Sequence, residues 1–352
     1  MMNNYLKNKI TTISFLLMIM VVNIHSYNLL PIIPKGYNTF IQDLFSQGFS
    51  RIAVPLFFII SGYLFFLNIK EGLLIEFLLK YKSRFKSLVI PYLFWTVFSC
   101  LLYLFLQSIP FVSVFFKKDL VINYSLSEWF RAIFITPSIA FQFWFIQDLI
   151  VLVLITPLLY RLIKYFNYSI LLLFIIAWFS EFSFYFFASQ SILFFTIGAL
   201  LSIKKVELIN LKYKKYDFLF FFIWIFCVFL TKTIIYYQIE ICISIIKYIH
   251  KIGILFGIIS IWMLYDRILK NRDFSKYNFF NFFSYSFFLF AFHEPLGTLL
   301  KYGLYYIFGK TQLTSLLIYL ITPVLIVIIS VIIAQFIKKK ASKFYYIITG
   351  GR

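Results

Sequence analysis

The stretch Arg51-Ile52-Ala53-Val54-Pro55-Leu56-Phe57-Phe58-Ile59-Ile60-Ser61-Gly62-Tyr63-Leu64-Phe65-Phe66-Leu67 decides the fold class. After the arginine no charged residue interrupts it, and apolar side chains occupy consecutive positions instead of alternating ones. Taken back to Leu44, the run exceeds the ~20 residues that an α-helix needs to cross a hydrocarbon layer about 30 Å thick. A barrel strand would show a period of two. Backbone N–H and C=O groups in lipid must be satisfied within the segment, so a continuous run of this kind reads as a membrane-spanning helix.

The same reading extends over the whole chain. Hydrophobic residues make up 62% of the 352 residues and charged residues 13%, against about 45–50% and about 25% in a soluble domain. Ten runs qualify as spans: 11–29, 44–67, 88–109, 141–160, 168–187, 189–203, 217–236, 250–266, 279–300 and 313–337. The first resembles a secretion leader, with Lys7 and Lys9 ahead of it, but only His25-Ser26-Tyr27-Asn28 follows and no small-residue cleavage site. It reads as an uncleaved first helix. The expected fold is an all-α integral membrane protein of about ten transmembrane helices, with residues 1–352 as one polytopic domain.

Loop charges orient it. With both termini in the cytoplasm, 23 Lys and Arg fall on the inner side, among them Lys9, Lys82, Arg84, Lys86, Lys204, Lys214, Arg272 and Lys338. Seven fall outside: Lys35, Lys117, Lys118, Arg131, Lys232, Lys301 and Lys310. That asymmetry is the positive-inside pattern. It accounts for the net charge of +20 without a nucleic-acid partner. The chain is expected in a bacterial cytoplasmic membrane as a multi-pass protein. The longest outer segment, 109–140, carries Trp129, Arg131 and Pro137 and is expected to hold a short interfacial helix. Cys100, Cys227 and Cys242 lie in apolar runs with no paired spacing, so neither a disulfide framework nor a metal site is expected.

Ionisable residues at membrane depth cost about 2.5–3.5 kcal/mol each on insertion scales and point to function. Five fall in the outer third of the expected spans: His25, Arg51, Asp148, His293 and Glu294. By itself His25 reads as an interfacial histidine, and Asp148 reads as a partner for Arg51. Glu294 precedes Pro295 and reads equally as the cap of a kink. The shared depth of a histidine, an arginine and two carboxylates instead favours one polar pocket. Soluble-enzyme motifs such as GxSxG, HExxH and a phosphate-binding P-loop are absent.

Five stretches give the chain a resemblance to the type-3 membrane acyltransferases of bacteria. Val21-Val22-Asn23-Ile24-His25-Ser26 is similar to that family's first helix, which ends in an essential histidine. The Arg51 to Tyr63 stretch resembles its arginine, Val-Pro, Phe-Phe and Ser-Gly-Tyr pattern. Lys82-Ser83-Arg84-Phe85-Lys86 with Pro91 and Trp95 resembles the basic run entering helix 3. Phe143-Trp144-Phe145-Ile146 through Thr156-Pro157 and Phe290-Ala291-Phe292-His293-Glu294-Pro295 complete the likeness. Two positions depart from it: Ser14 and Ser87 stand where the family has arginines thought to help hold coenzyme A.

The resemblance implies transfer of an acyl group, acetyl above all, from cytoplasmic acyl-coenzyme A to a hydroxyl of a surface polysaccharide or lipid-linked sugar. His25 would be the general base, Arg51 would orient the acceptor or the oxyanion, and Asp148 or Glu294 would fix the histidine tautomer, with His293 nearby. Lys82, Arg84 and Lys86 would meet the donor's phosphates, and Ser61 and Tyr63 of the helix 2 pattern would line its path. The alternative is a transporter exporting a glycan or small polar molecule. A transporter is expected to show two related halves or matching interrupted helices, and neither is visible.

Overall fold

The computed structural model describes residues 4–30, 33, 35–113, 120–135, 139–182, 184–206, 216–269 and 280–351. Lys117, Lys118, Pro137, Lys214, Arg272 and the other expected loop residues between these ranges lie outside the described residues. The described chain is helical throughout: α1 (Asn4–Ser26), α2 (Tyr37–Phe66), α3 (Leu74–Ser108), α4 (Trp144–Leu154), α5 (Thr156–Phe166), α6 (Ile170–Phe179), α7 (Ser189–Ile203), α8 (Asp217–Tyr236), α9 (Glu240–Leu269), α10 (Ser286–Phe308), α11 (Gln312–Lys340) and the short α12 (Ser342–Thr349). Among the described residues, seven helical runs are long and apolar enough to cross a membrane, and the regions around α4 and α7 are shorter apolar helices. The protein is an all-α integral membrane protein.

The central helix is α1. Leu6, Ile10, Ile13, Leu17, Val21 and Val22 recur at helical spacing and are all buried. They face α2, α9, α10 and α11. Lys9 belongs to that buried face rather than to a loop, which corrects its placement among the inner loop charges. It is wholly buried, pairs with Asp266 of α9 at 2.7 Å and lies 4.0 Å over the Trp262 ring. Tyr5 donates to the same carboxylate.

Prolines shape α2 and α3. Pro55 has no N–H to give the Arg51 carbonyl one turn earlier. Ahead of it α2 passes through a π-turn, Asp43–Gly48, and a 3-10 turn, Phe49–Ile52. Pro91 acts likewise on Ser87, and a π-turn, Phe85–Val89, precedes it. Both irregular turns carry cationic residues singled out from the sequence, Arg51 and Lys86, with Arg84 just ahead of the second. In the outer segment a short helix, Leu126–Phe130, starts at Ser125, whose backbone N–H donates to Glu128 at 2.7 Å.

The fifth expected span is shortened. Asn167 adopts a positive φ of 53° and separates α5 from α6, and α6 ends at Phe179 instead of 187. Ten helical residues alone rise about 15 Å, half the hydrocarbon thickness; the long apolar run here is Thr156–Phe179, which joins α5 to α6 through the turn Asn167–Ser169. The end is held by Lys251 of α9, which donates to the Trp178 carbonyl at 2.8 Å and pairs with Glu181 at 3.4 Å. The ninth expected span shifts the other way. Its helix α10 runs to Phe308, so Lys301, expected in an outer loop, lies inside it.

Candidate active site

Three elements meet where α1 ends. The last turn of α1 supplies His25, α10 supplies His293, Glu294 and Lys301, and the 3-10 turn Phe141–Phe143 before α4 supplies Phe141 and Gln142. The His25 ring is half-buried, 5.0 Å from the His293 ring and 5.2 Å from Phe141 between centroids. Among the described residues neither ring nitrogen of His25 has a hydrogen-bond partner.

His293 is wholly buried, and its Nδ1 lies 2.6 Å from the Phe290 carbonyl oxygen. A carbonyl only accepts, so Nδ1 carries the proton and Nε2 is left with a lone pair. That Nε2 is buried and has no hydrogen-bond partner among the described residues.

Glu294 leaves the helical region at φ −118°, ψ 132°, with Pro295 behind it. Its carboxylate accepts from the Thr298 N–H at 3.2 Å and hydroxyl at 2.8 Å. It therefore caps the second half of α10, with proline at the first helical position where no N–H is missed. Gln142 donates to the Glu294 carbonyl at 3.1 Å.

Lys301 reaches across to α1. Its ammonium donates to the His25 carbonyl at 2.6 Å and lies 3.8 Å from the Glu294 carboxylate. A cation at a helix C-terminus meets the negative end of the helix dipole and its orphan carbonyls. Lys301 thus fixes the turn from which the His25 ring projects.

The five residues expected in one pocket separate into two groups. His25, His293 and Glu294 come together, and Arg51 stands within electrostatic reach of His25. Asp148 does not join them. Its carboxylate accepts from the Ala188 N–H at 3.0 Å and the Ser191 hydroxyl at 2.5 Å, tying α4 to the start of α7. It is neither the partner of Arg51 nor the group that orients His25. Glu294 does not bond the His25 ring either. Arg51 donates to Gln47 one turn earlier and pairs with no carboxylate among the described residues.

Lys301, Gln142 and Phe141 were not singled out from the sequence. The signal for Lys301 was the apolar run after it, Leu304 to Phe308, which extends the helix past the charge. Gln142 carried no signal.

At the opposite end of the bundle, Tyr81, Lys82, Arg84, Phe85, Leu88 and Val89 of α3 face Ile150, Val153 and Leu154 of α4 across a cavity of about 290 Å³. Arg84 is half-buried there, whereas Lys86 is exposed and does not line the cavity. Tyr63 lines a separate, apolar cleft of about 280 Å³ with Ile10, Leu56 and Trp262. Ser61 lines neither cavity.

The acyltransferase 3 family, whose sequence profile is described as an acyltransferase domain, matches residues 10–335 of the chain. That interval holds all the residues of the pocket and of the basic cavity, and the chain belongs to this family: it is a membrane acyltransferase. Comparison with curated proteins and with solved structures yields no match.

Proposed function

We propose that the protein transfers an acetyl group from cytoplasmic acetyl-coenzyme A to a hydroxyl of a surface polysaccharide or lipid-linked sugar, with both termini in the cytoplasm of a bacterial cell. The observation that carries this reading is His25. It is a partly buried imidazole, with neither ring nitrogen hydrogen-bonded among the described residues, on a helix end fixed by Lys301. An imidazole can take a proton from an acceptor hydroxyl and return it to a leaving group.

In this reading the acceptor hydroxyl gives its proton to His25 as its oxygen attacks the thioester carbonyl. Arg51, within electrostatic reach of His25, orients the acceptor. The carbon–sulfur bond then breaks, and the departing thiolate takes the proton back from the imidazolium. No covalent acyl-enzyme and no metal is required. The decisive experiment compares NMR spectra of cell-surface glycans from strains with and without the protein. Loss of an ester signal is expected, and identical glycans would defeat the reading.

The donor is assigned to the α3–α4 cavity because its mouth is cationic and its wall apolar. Phosphate oxygens suit Lys82 and the forked donors of Arg84, and the pantetheine arm suits Ile150, Val153 and Leu154. Lys86, exposed outside the cavity, supplies at most long-range charge. Removing one charge-assisted hydrogen bond costs about 1.5–3 kcal/mol. Arg84→Ala is therefore expected to raise the KM for acetyl-coenzyme A by about 10–150-fold, with little change in the KM of the acceptor. Lys70→Ala, on the exposed loop before α3, is the control. Equal small effects from both would leave the basic run a topological role only.

A further inference from the structure

Next to the pocket lies a second group of polar side chains that proton transfer by His25 leaves unused. The π-turn of α2 carries Asp43 and Gln47, the 3-10 turn after it carries Arg51, and α8 and α9 contribute Lys232 and His250, each within electrostatic reach of Arg51. Gly48 brings them together. A Cβ built on it would lie 2.6 Å from the Val228 side chain and 3.6 Å from Cε of Lys232, so only glycine lets α8 approach this closely. The Phe49 ring sits 5.4 Å from Trp224 of α8. The irregular turn thus presents Arg51 on the same side as Lys232.

Charge in this group is unbalanced. Lys232 is 7% exposed, so most of its side chain is removed from solvent. Among the described residues it has no hydrogen-bond or ion-pair partner; Asp43 acts on it through space. Asp43 is engaged by the Tyr27 hydroxyl at 2.9 Å. Arg51 has only the neutral Gln47. Lys301, by contrast, is already matched by Glu294. The buried Lys232, with the exposed Arg51 and the His250 ring within electrostatic reach, therefore faces one carboxylate, and an unmatched buried charge is costly. A bound anion would remove the imbalance.

We infer that Arg51, Lys232 and His250 form an anion subsite beside His25, which receives a phosphate group carried by the acceptor. This rests on the acyltransferase reading above and narrows its substrate class to phosphate-bearing acceptors. Lysine and arginine supply the point charge and the planar fork that phosphate oxygens accept from. Tyr27, two residues beyond His25, links the subsite to the same helix end as the base. The acceptor would be held by its phosphate while a sugar hydroxyl meets the imidazole. Two sources share this chemistry, a soluble sugar phosphate and a lipid-linked one.

The test is binding without any acyl donor, so its result does not depend on whether transfer occurs. Full-length protein in phosphatidylcholine nanodiscs is titrated with glycerol 1-phosphate against glycerol. In parallel, nanodiscs doped with a polyprenyl phosphate are compared with nanodiscs doped with the corresponding polyprenol. Saturable binding of a phosphate-bearing probe is expected, with none for its uncharged counterpart. Lys232→Gln should weaken it by about tenfold or more, and Lys232→Arg should retain most of it. Lys310→Gln, an exposed lysine at the same end of the bundle, should bind as the wild type does. Binding of the soluble probe alone points to a free sugar phosphate, and binding of the polyprenyl phosphate points to a lipid-linked acceptor. Equal binding by wild type and Lys232→Gln, equal binding of charged and uncharged probes, or no saturable binding of either phosphate would overturn the subsite. Glycan acetylation persisting in that case would leave the acyltransferase reading standing.

Discussion

His25→Ala is expected to abolish detectable acyl transfer while the protein remains folded and inserted. Loss of a general base commonly lowers the rate by about 10²–10⁴. The geometry argues that little else is lost with it. The contact that ties α10 to α1 runs from Lys301 to the backbone carbonyl of residue 25, not to the imidazole. Alanine keeps that carbonyl and favours the helix. The ring itself is only partly buried and makes no hydrogen bond among the described residues. His293→Ala should behave differently. That ring is wholly buried and bonded to Phe290, so its removal leaves a cavity and should lower protein abundance before it lowers turnover per molecule. Transfer of labelled acetyl to glycan in membranes, normalised to protein level, separates the two. Near-wild-type transfer by His25→Ala would remove the acid–base mechanism.

The sequence made the membrane class and most of the helical runs legible because lipid imposes one rule on every span, a long apolar run, but the fifth and ninth boundaries moved. It made His25, His293 and Glu294 legible as one site because helix geometry converts residue count into depth. Depth is only one coordinate, however. Asp148 shares it and still faces α7, since nothing in a single span shows which way a side chain points around its axis. The same limit explains Lys301. A lysine at a span edge reads as a loop charge unless the helix beyond it is recognised, and here the helix continues to Phe308. Lys9 failed the count for the opposite reason. Its partner Asp266 is more than 250 residues away in sequence, and nothing local announces a buried pair of that kind.

Gly198→Leu is expected to remove most of the folded protein. The Ser61-Gly62-Tyr63 pattern of α2 reads from resemblance as part of the donor path, but Gly62 has a packing role that the geometry makes explicit. A Cβ on Gly62 would collide with the Phe195 carbonyl oxygen of α7 and lie 3.2 Å from the Ala199 nitrogen. A Cβ on Gly198 would collide with the Ile59 carbonyl oxygen and lie 2.8 Å from the Tyr63 nitrogen. The two backbones therefore touch, as small residues permit in membrane helix pairs that gain no hydrophobic drive from association in lipid. Overpacking typically costs about 1–3 kcal/mol when side chains can move aside. Here the obstacle is backbone on both sides, so α2 and α7 must separate, and the cost should exceed that range. Arg51 rides on α2 and the Asp148 anchor on α7, so separation would also displace the pocket. Gly303→Leu on α10 is the matched control, since a Cβ there meets nothing within 4 Å. Fluorescence-detected size-exclusion chromatography should show Gly303→Leu as a monodisperse peak like the wild type and Gly198→Leu as aggregate or absent. A monodisperse Gly198→Leu with an unchanged melting temperature would mean that α2 and α7 are not packed backbone to backbone.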